Sequence, residues 1–288
     1  MSELHWPALS KARAHDPAAR LPFFIGDARV GSVARCHLDA LAGCAALAID
    51  TQRVCLVEPA ASRDAAWSAL NRRLRDEGRI SGWRDESFSV FAADGIEVLA
   101  VIERAAARFW GTLTWGAHAT GYVADASGKP SHLWIARRAL SKSTDPGRLD
   151  NLIGGGVPHG QARFDALLRE GWEEAGLDAG IVSRATPGST IELLREIPEG
   201  LQHERVQAWD LALPAGLQPA NQDGEVAAFL CLPVDEGLAL AASGEMTVDA
   251  ELVTLDFALR HGLVGDPARW QTALDALRPR PPGRVAIL

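Results

Sequence analysis

Residues 150–177 read DNLIGGGVPHGQARFDALLREGWEEAGL, a triple glycine followed by a helical pattern that Gly176 terminates. The expected order is loop, helix, stop. At about 100° per residue, Glu170, Glu173 and Glu174 fall within one sector of about 100°, while Phe164, Leu168, Trp172 and Ala175 share the opposite side. The helix is therefore expected to have a core face and a carboxylate face. Three like charges at i, i+3 and i+4 repel one another by roughly a few tenths of a kcal/mol per pair. A divalent cation is the economical neutraliser, because oxygen ligands at this spacing suit magnesium or manganese, and the metal can bridge substrate phosphates. The bland alternative for a Glu-rich helix is a solvated acidic face. Two neighbours argue against it here: the glycine-rich loop lets backbone groups approach an anion or metal closely, and Arg169 at i+4 from Glu173 can hold a carboxylate in place.

These residues resemble the signature of the Nudix hydrolases, G-x5-E-x7-R-E-U-x-E-E-x-G-U with U a bulky aliphatic. Gly155, Arg169, Glu170, Glu173, Glu174, Gly176 and Leu177 occupy their expected places. Two positions depart. Gln161 stands where the family has its first Glu, keeping size and hydrogen bonding but losing a charge. Gly171 stands where the family has an aliphatic residue, at a cost of roughly 1 kcal/mol in helix propensity relative to Ala, which points to tight packing against a neighbouring strand. The resemblance implies Glu173 and Glu174 as ligands of magnesium, with manganese as the substitute. It implies Glu170 as a further ligand or the base that orients the attacking water, Arg169 as its structural support in the catalytic machinery, and the carbonyl of Gly154 or Gly155 as completing the shell. Asp223-Gly224-Glu225-Val226 precedes an apolar strand and can supply a late carboxylate through Glu225; an ordinary turn is an equal reading on spacing alone.

Working outward, Trp134 to Arg138, Ser141 to Gly147 and Leu149 to Asn151 are similar to the segment ahead of this box in the Nudix proteins related to thiamine pyrophosphokinase. Collinear matches follow at Phe109-Trp110-Gly111, Gly116-Ala117-His118, Trp209-Asp210-Leu211 and Asp256 to Gly262. That resemblance implies hydrolysis of thiamine diphosphate, and preferentially of its oxidised forms, to monophosphate and phosphate. It also implies an N-terminal domain of unassigned function, and these 288 residues are expected to hold no kinase domain beside the two units. Arg137, Arg138 and Lys142 are candidate phosphate contacts, and His118 a candidate pocket residue; surface charge and a packed histidine are the ordinary readings of each taken singly. Among nine tryptophans, Trp83, Trp115, Trp134 and Trp209 are equally readable as substrate-stacking or as core. Hydrolysis of a nucleoside diphosphate derivative such as ADP-ribose or a dinucleotide is a second reading. A catalytically silent Nudix-fold sensor, supported by Gln161 alone, is a third.

The remaining sequence is consistent with two α/β units. At 288 residues the chain is about twice the usual domain length, with 47% apolar and 23% charged residues. Strand-like runs lie around Phe23-Phe24-Ile25 and Ala46 to Val57, a helix over 62–77, strand alternation over 87–101 about an Ala93-Asp94-Gly95 turn, and a short helix over 103–110. Strands are expected at Thr112 to Trp115, Gly121 to Val123 and His132 to Arg137. The expected architecture is an N-terminal α/β domain over 1–108, a Nudix α/β/α sandwich with a mixed sheet over 109–265, and a C-terminal helix and tail over 266–288. A net charge of −8 disfavours nucleic acid and anionic membranes as partners, and no apolar run is long enough to span a bilayer. The expected partner is a small-molecule organic diphosphate, with a homodimer left open, in the cytoplasm. Cys36, Cys44, Cys55 and Cys231 show no metal or redox spacing and read as buried small hydrophobes.

Overall fold

The computed structural model describes residues 4–279, which form two packed bodies. The chain opens on α1 (Ala8–Lys11), and the first body is built from β1 (Arg20–Ile25), β2 (Ala28–Ala34), α2 (Leu38–Leu41), β3 (Leu47–Ile49), β4 (Val54–Leu56), α3 (Ala60–Asp76), β5 (Ser87–Phe91), β6 (Val98–Glu103) and α4 (Arg104–Trp110). Its sheet runs β2-β1-β4-β3, with β1 and β4 parallel, and β5 and β6 form a separate hairpin. Alternation along β1 turns Leu21, Phe23 and Ile25 inward, where Phe23 meets Trp67 of α3 and Trp110 of α4 at ring distances of 5.3 and 4.6 Å. The buried Trp110 indole donates to Asn71 Oδ1 at 2.7 Å, so the ring's polar edge is satisfied inside the apolar cluster.

The second body follows through β7 (Leu113–Ala124), β8 (Pro130–Arg138), β9 (Leu149–Asp150), β10 (Ile153–Gly156), α5 (Arg163–Ala175), α6 (Ala179–Val182), β11 (Thr186–Ile197), β12 (Gly200–Leu213), β13 (Val226–Pro233), α7 (Val234–Leu240), α8 (Val248–Arg260) and α9 (Pro267–Asp275). The segments expected as two strands near Thr112 and Gly121 are one continuous β7. Its sheet is mixed: β7 is parallel to β12 and antiparallel to β8 and β10. Alternate residues of the central strands serve opposite layers. Ala117, Ala119, Trp209 and Leu211 pack with Ala166 and Leu167 of α5, while Val206 and Ala208 pack with Leu252 and Val253 of α8. The expected α/β/α sandwich with a mixed sheet is therefore present.

The first residues do not pack on the first body. Trp6, Ala8 and Ala12 are buried in the clusters around α8, the Ala8 amide donates to Glu251 Oε1 at 2.8 Å, and Ala12 O accepts from the Leu194 amide at 2.8 Å. The described part of the segment 1–108, expected as one unit, thus contributes to both bodies. The Pro/Gly tail read at the C-terminus lies, from residue 280, outside the described residues. Among the described residues, no helix is long and apolar enough to cross a membrane.

Three expectations are corrected. The triple glycine is a strand, not a loop: Gly154, Gly155 and Gly156 pair with His118, Ala117 and Gly116 of β7. Their role is close approach, because a Cβ on Gly155 would overlap the Glu170 carboxyl and one on Gly156 would stand 2.6 Å from the Phe88 ring. The faces of α5 are also rotated from the expected ones. Ala166, Leu167, Glu170, Gly171, Glu174 and Ala175 are buried, whereas Trp172 is 55% exposed. Gly171 is what allows this, since a Cβ there would lie 2.7 Å from Val182 and 3.2 Å from Ile153, so α6 and strand β10 both close on the helix backbone. Lastly, none of the four cysteines is fully buried; Cys36 and Cys231 are exposed.

Candidate active site

The carboxylates of α5 are placed by its two ends. The preceding strand β10 carries the glycines that let the helix sit on the sheet, and Gly176, in the left-handed region at φ 64°, stops it so that the Leu177 amide returns to Gly171 O at 2.9 Å. Glu174 is buried and accepts from the Gly154 amide at 2.8 Å. Burial, reinforced by the neighbouring Glu170, pushes its carboxyl up to about 8. Glu170 is also buried and raised by burial, against the pull of Arg169, whose guanidinium bridges Glu170 at 2.8 Å and Glu173 at 2.6 Å. The expected i+4 support of Glu173 by Arg169 is therefore present, and the same arginine steadies Glu170.

The carboxylates expected as one metal set come to one region without converging. Lys142, its side chain nearly buried, bonds Glu225 and stands 3.8 Å from Glu174, so an ammonium separates these two acids. Burial holds Lys142 below its ordinary value, with Glu174 opposing and Arg138 and Arg84 adding to the depression. Glu173, half-exposed, is turned to Arg169. Among the described residues, no group of three or more His, Cys, Asp or Glu is placed to hold a metal ion.

A cavity of about 520 Å³ opens over this floor. Of the residues singled out in the sequence, Gly154, Gly155, Glu170, Glu225, Lys142, Arg138 and His118 line it, whereas Glu173 and Glu174 do not. Arg137 does not: it alternates to the other side of β8 and donates to Gly147 O at 2.9 Å. Arg138 donates to Asp150 Oδ2 at 2.7 Å and to the carbonyls of Asp145 and Thr144. His118 is buried and bonded to Asn151 Oδ1 at 3.1 Å; burial would lower its value, but Asp249 and Asp150 raise it. Asp249, half-buried beside it, is held low by His118 and the Thr247 hydroxyl against the effect of burial. Of the four tryptophans singled out, Trp134 and Trp209 are core, Trp115 lies under the Arg163 guanidinium, and Trp83 edges an adjoining cavity. Gln161 sits in an exposed turn and does not line the main cavity.

Sequence reasoning missed the opposite wall. Arg84, Arg104 and Arg108 reach the cavity from the first body, and Glu204 from β12. The available signal was the i, i+4 pair Arg104 and Arg108 on one face of a short helix.

A mixed sheet between helices, with a carboxylate helix laid across a glycine strand, defines the Nudix α/β/α class. Comparison with known proteins agrees: the NUDIX domain family model matches residues 115–252, and that of a domain of unknown function (DUF4743) matches residues 5–114. The chain carries a DUF4743 N-terminal domain followed by a Nudix domain, and it is homologous to Nudix hydrolases. It is 36% identical over 203 residues to Nudix hydrolase 20, chloroplastic, of Arabidopsis thaliana, covering 70% of this chain and 54% of the relative. Nudix hydrolase 24, chloroplastic, of the same plant is 34% identical over 203 residues, covering 70% and 55%. The chain thus spans about half the length of these curated relatives. Among solved structures, DR0079 from Deinococcus radiodurans is similar at 25% identity and a TM-score of 0.47, covering 60% of this chain and 99% of that one.

Proposed function

We propose that this protein is a magnesium-dependent pyrophosphohydrolase that cleaves a small organic diphosphate to a monophosphate and phosphate. The observation that carries the reading is the buried carboxylate of Glu170, packed on the glycine strand and lining a cavity whose opposite wall carries Arg84, Arg104 and Arg108, with buried Glu174 one turn further along the same helix. The donor chemistry suits a hard divalent cation, since the glycine strand and the neighbouring acids offer carbonyl and carboxylate oxygens, and burial, reinforced by Glu170, disfavours a charged Glu174 that a cation would stabilise. Glu170, Glu173, Glu174 and Glu225, with the carbonyls of Gly154 and Gly155, would hold the ion once Lys142 leaves its place between Glu174 and Glu225. Bound there, it would supply Lewis acidity and neutralise phosphate charge.

The chain's own residues do the rest. Glu170 accepts a proton from the attacking water, Arg169 fixes the rotamers of Glu170 and Glu173, and Arg138, Lys142 and His118 bind phosphate oxygens. Water adds to phosphorus as the bridging P–O bond breaks, and the departing oxygen leaves as monophosphate. The segments flanking the signature support thiamine diphosphate and its oxidised forms as substrates. The test is a panel of thiamine diphosphate, oxothiamine diphosphate, ADP-ribose and a dinucleotide with magnesium, each against an EDTA control, scored by released monophosphate. The expected result is EDTA-sensitive turnover with the highest kcat/KM on a thiamine compound. Preference for ADP-ribose or the dinucleotide would replace the substrate, and no turnover of any would leave a ligand-binding protein.

A further inference from the structure

The wall contributed by the first body carries more positive charge than its own carboxylates neutralise. Arg104 and Arg108 stand one turn apart on α4, and each has a single carboxylate partner, Glu86 at 2.8 Å and Glu204 at 3.0 Å. Arg108 Nη1 is buried with no hydrogen-bond partner among the described residues. Arg84 has no carboxylate within hydrogen-bond reach: its Nη2 donates to Ser143 Oγ at 3.0 Å, and Glu225 is 3.7 Å from Nη1. Arg138, Lys142 and Arg195 line the same cavity from the second body, which also supplies all of its carboxylates, so the first body's share of the lining is cationic. Interdomain contacts account for Arg108 with Glu204 and in part for Arg84 with Ser143 and the more distant Glu225, but they leave the orphaned Arg108 nitrogen unexplained and Arg84 without a close anion. Buried donors without partners are costly, and guanidinium forks match phosphate oxygens in geometry. Arg104 lies beside the glycine strand, its guanidinium carbon 3.4 Å from where a Cβ of Gly156 would be.

We propose that the N-terminal domain supplies the phosphate-binding wall of the site, in which Arg84, Arg104 and Arg108 take the anionic oxygens of the substrate's diphosphate opposite the carboxylate floor. This rests on the diphosphatase reading above. The DUF4743 domain is then a substrate-binding half of the site, and a substrate's affinity depends on both bodies being in register.

The test is calorimetric titration of the full chain with inorganic pyrophosphate in EDTA at low salt. Arg84→Gln and Arg108→Gln should each weaken binding by at least about tenfold. Arg72→Gln, on the exposed face of α3, controls for net charge and should stay within about twofold. Arg84→Lys keeps the charge without the fork and should fall between, which preserves the test if Arg84→Gln does not fold by circular dichroism. Equal affinity in the wild type and both glutamine variants overturns the wall, as does absence of binding in the wild type. The two readings separate cleanly. Arginine-dependent binding without hydrolysis of any diphosphate sinks the enzyme and leaves the wall, whereas hydrolysis with arginine-independent binding does the reverse.

Discussion

The two bodies place their functional charges by opposite means. The first is held by large rings: Phe23, Trp67, Phe109 and Trp110 fill its centre, and the arginines stand on its rim at the ends of long side chains. The second is held close by small residues, with Ala117, Ala119, Ala166 and the β10 glycines bringing the backbone of α5 down onto the sheet. Flexible arginines can adapt to a ligand, whereas short carboxylates on a tightly seated helix cannot. The comparison teaches that the floor should be sensitive to single methyl groups and the wall to single charges.

The largest effect should come from the floor. Glu174→Gln keeps the shape and the acceptor for the Gly154 amide but removes the carboxylate that would ionise against a bound cation, and kcat should fall by roughly 100-fold or more with the fold retained. Full activity in steady-state assays would remove Glu174 from the site. Next come two glycines. Gly155→Ala drives a methyl group into the Glu170 carboxyl and should cost about tenfold or more in kcat. Gly31→Ala drives one against the Trp110 and Gly111 carbonyls of the first body, and should instead lower stability by about 1–3 kcal/mol with kcat little changed. Denaturant melts beside activity assays read both; the reverse pattern breaks the comparison.

A smaller effect concerns the clasp between the chain's first residues and α8. Burial raises the Glu251 carboxyl to about 7, so the folded protein holds this proton more tightly than the unfolded chain does. Its contribution is therefore fully present below about pH 4.5 and is lost as pH rises through about 7. Glu251→Gln keeps an acceptor for the Ala8 amide and should flatten that part of the stability profile between pH 5 and 8, measured as the difference from wild type. An identical slope would show that Glu251 is ionised throughout. The smallest effect is expected at Gln161. Because it lies in an exposed turn outside the main cavity, Gln161→Glu should shift a magnesium titration by less than about twofold.

What was legible in the sequence follows from what periodicity encodes. The α5 helix, its Gly176 stop and the Arg169 support of Glu173 depend on residues within one or two turns, and local spacing reports them. The triple glycine was misread because glycine marks both flexible loops and close approach, and only the packed Glu170 and Phe88 distinguish them. The buried face of α5 was set by Gly171 meeting Val182 and Ile153, contacts that no helical wheel contains. The arginine wall was illegible for a stronger reason: Arg84 and Glu170 are 86 positions apart, and nothing in either neighbourhood reports that the bodies meet there.

The claim that the site has a catalytic floor and a binding wall is tested most directly by the kinetics of Arg84→Gln on the preferred diphosphate with saturating magnesium. The account predicts a KM raised by about tenfold or more with kcat within about twofold of wild type. A kcat lowered as far as in Glu174→Gln, with KM unchanged, would contradict it and place Arg84 in the chemistry itself.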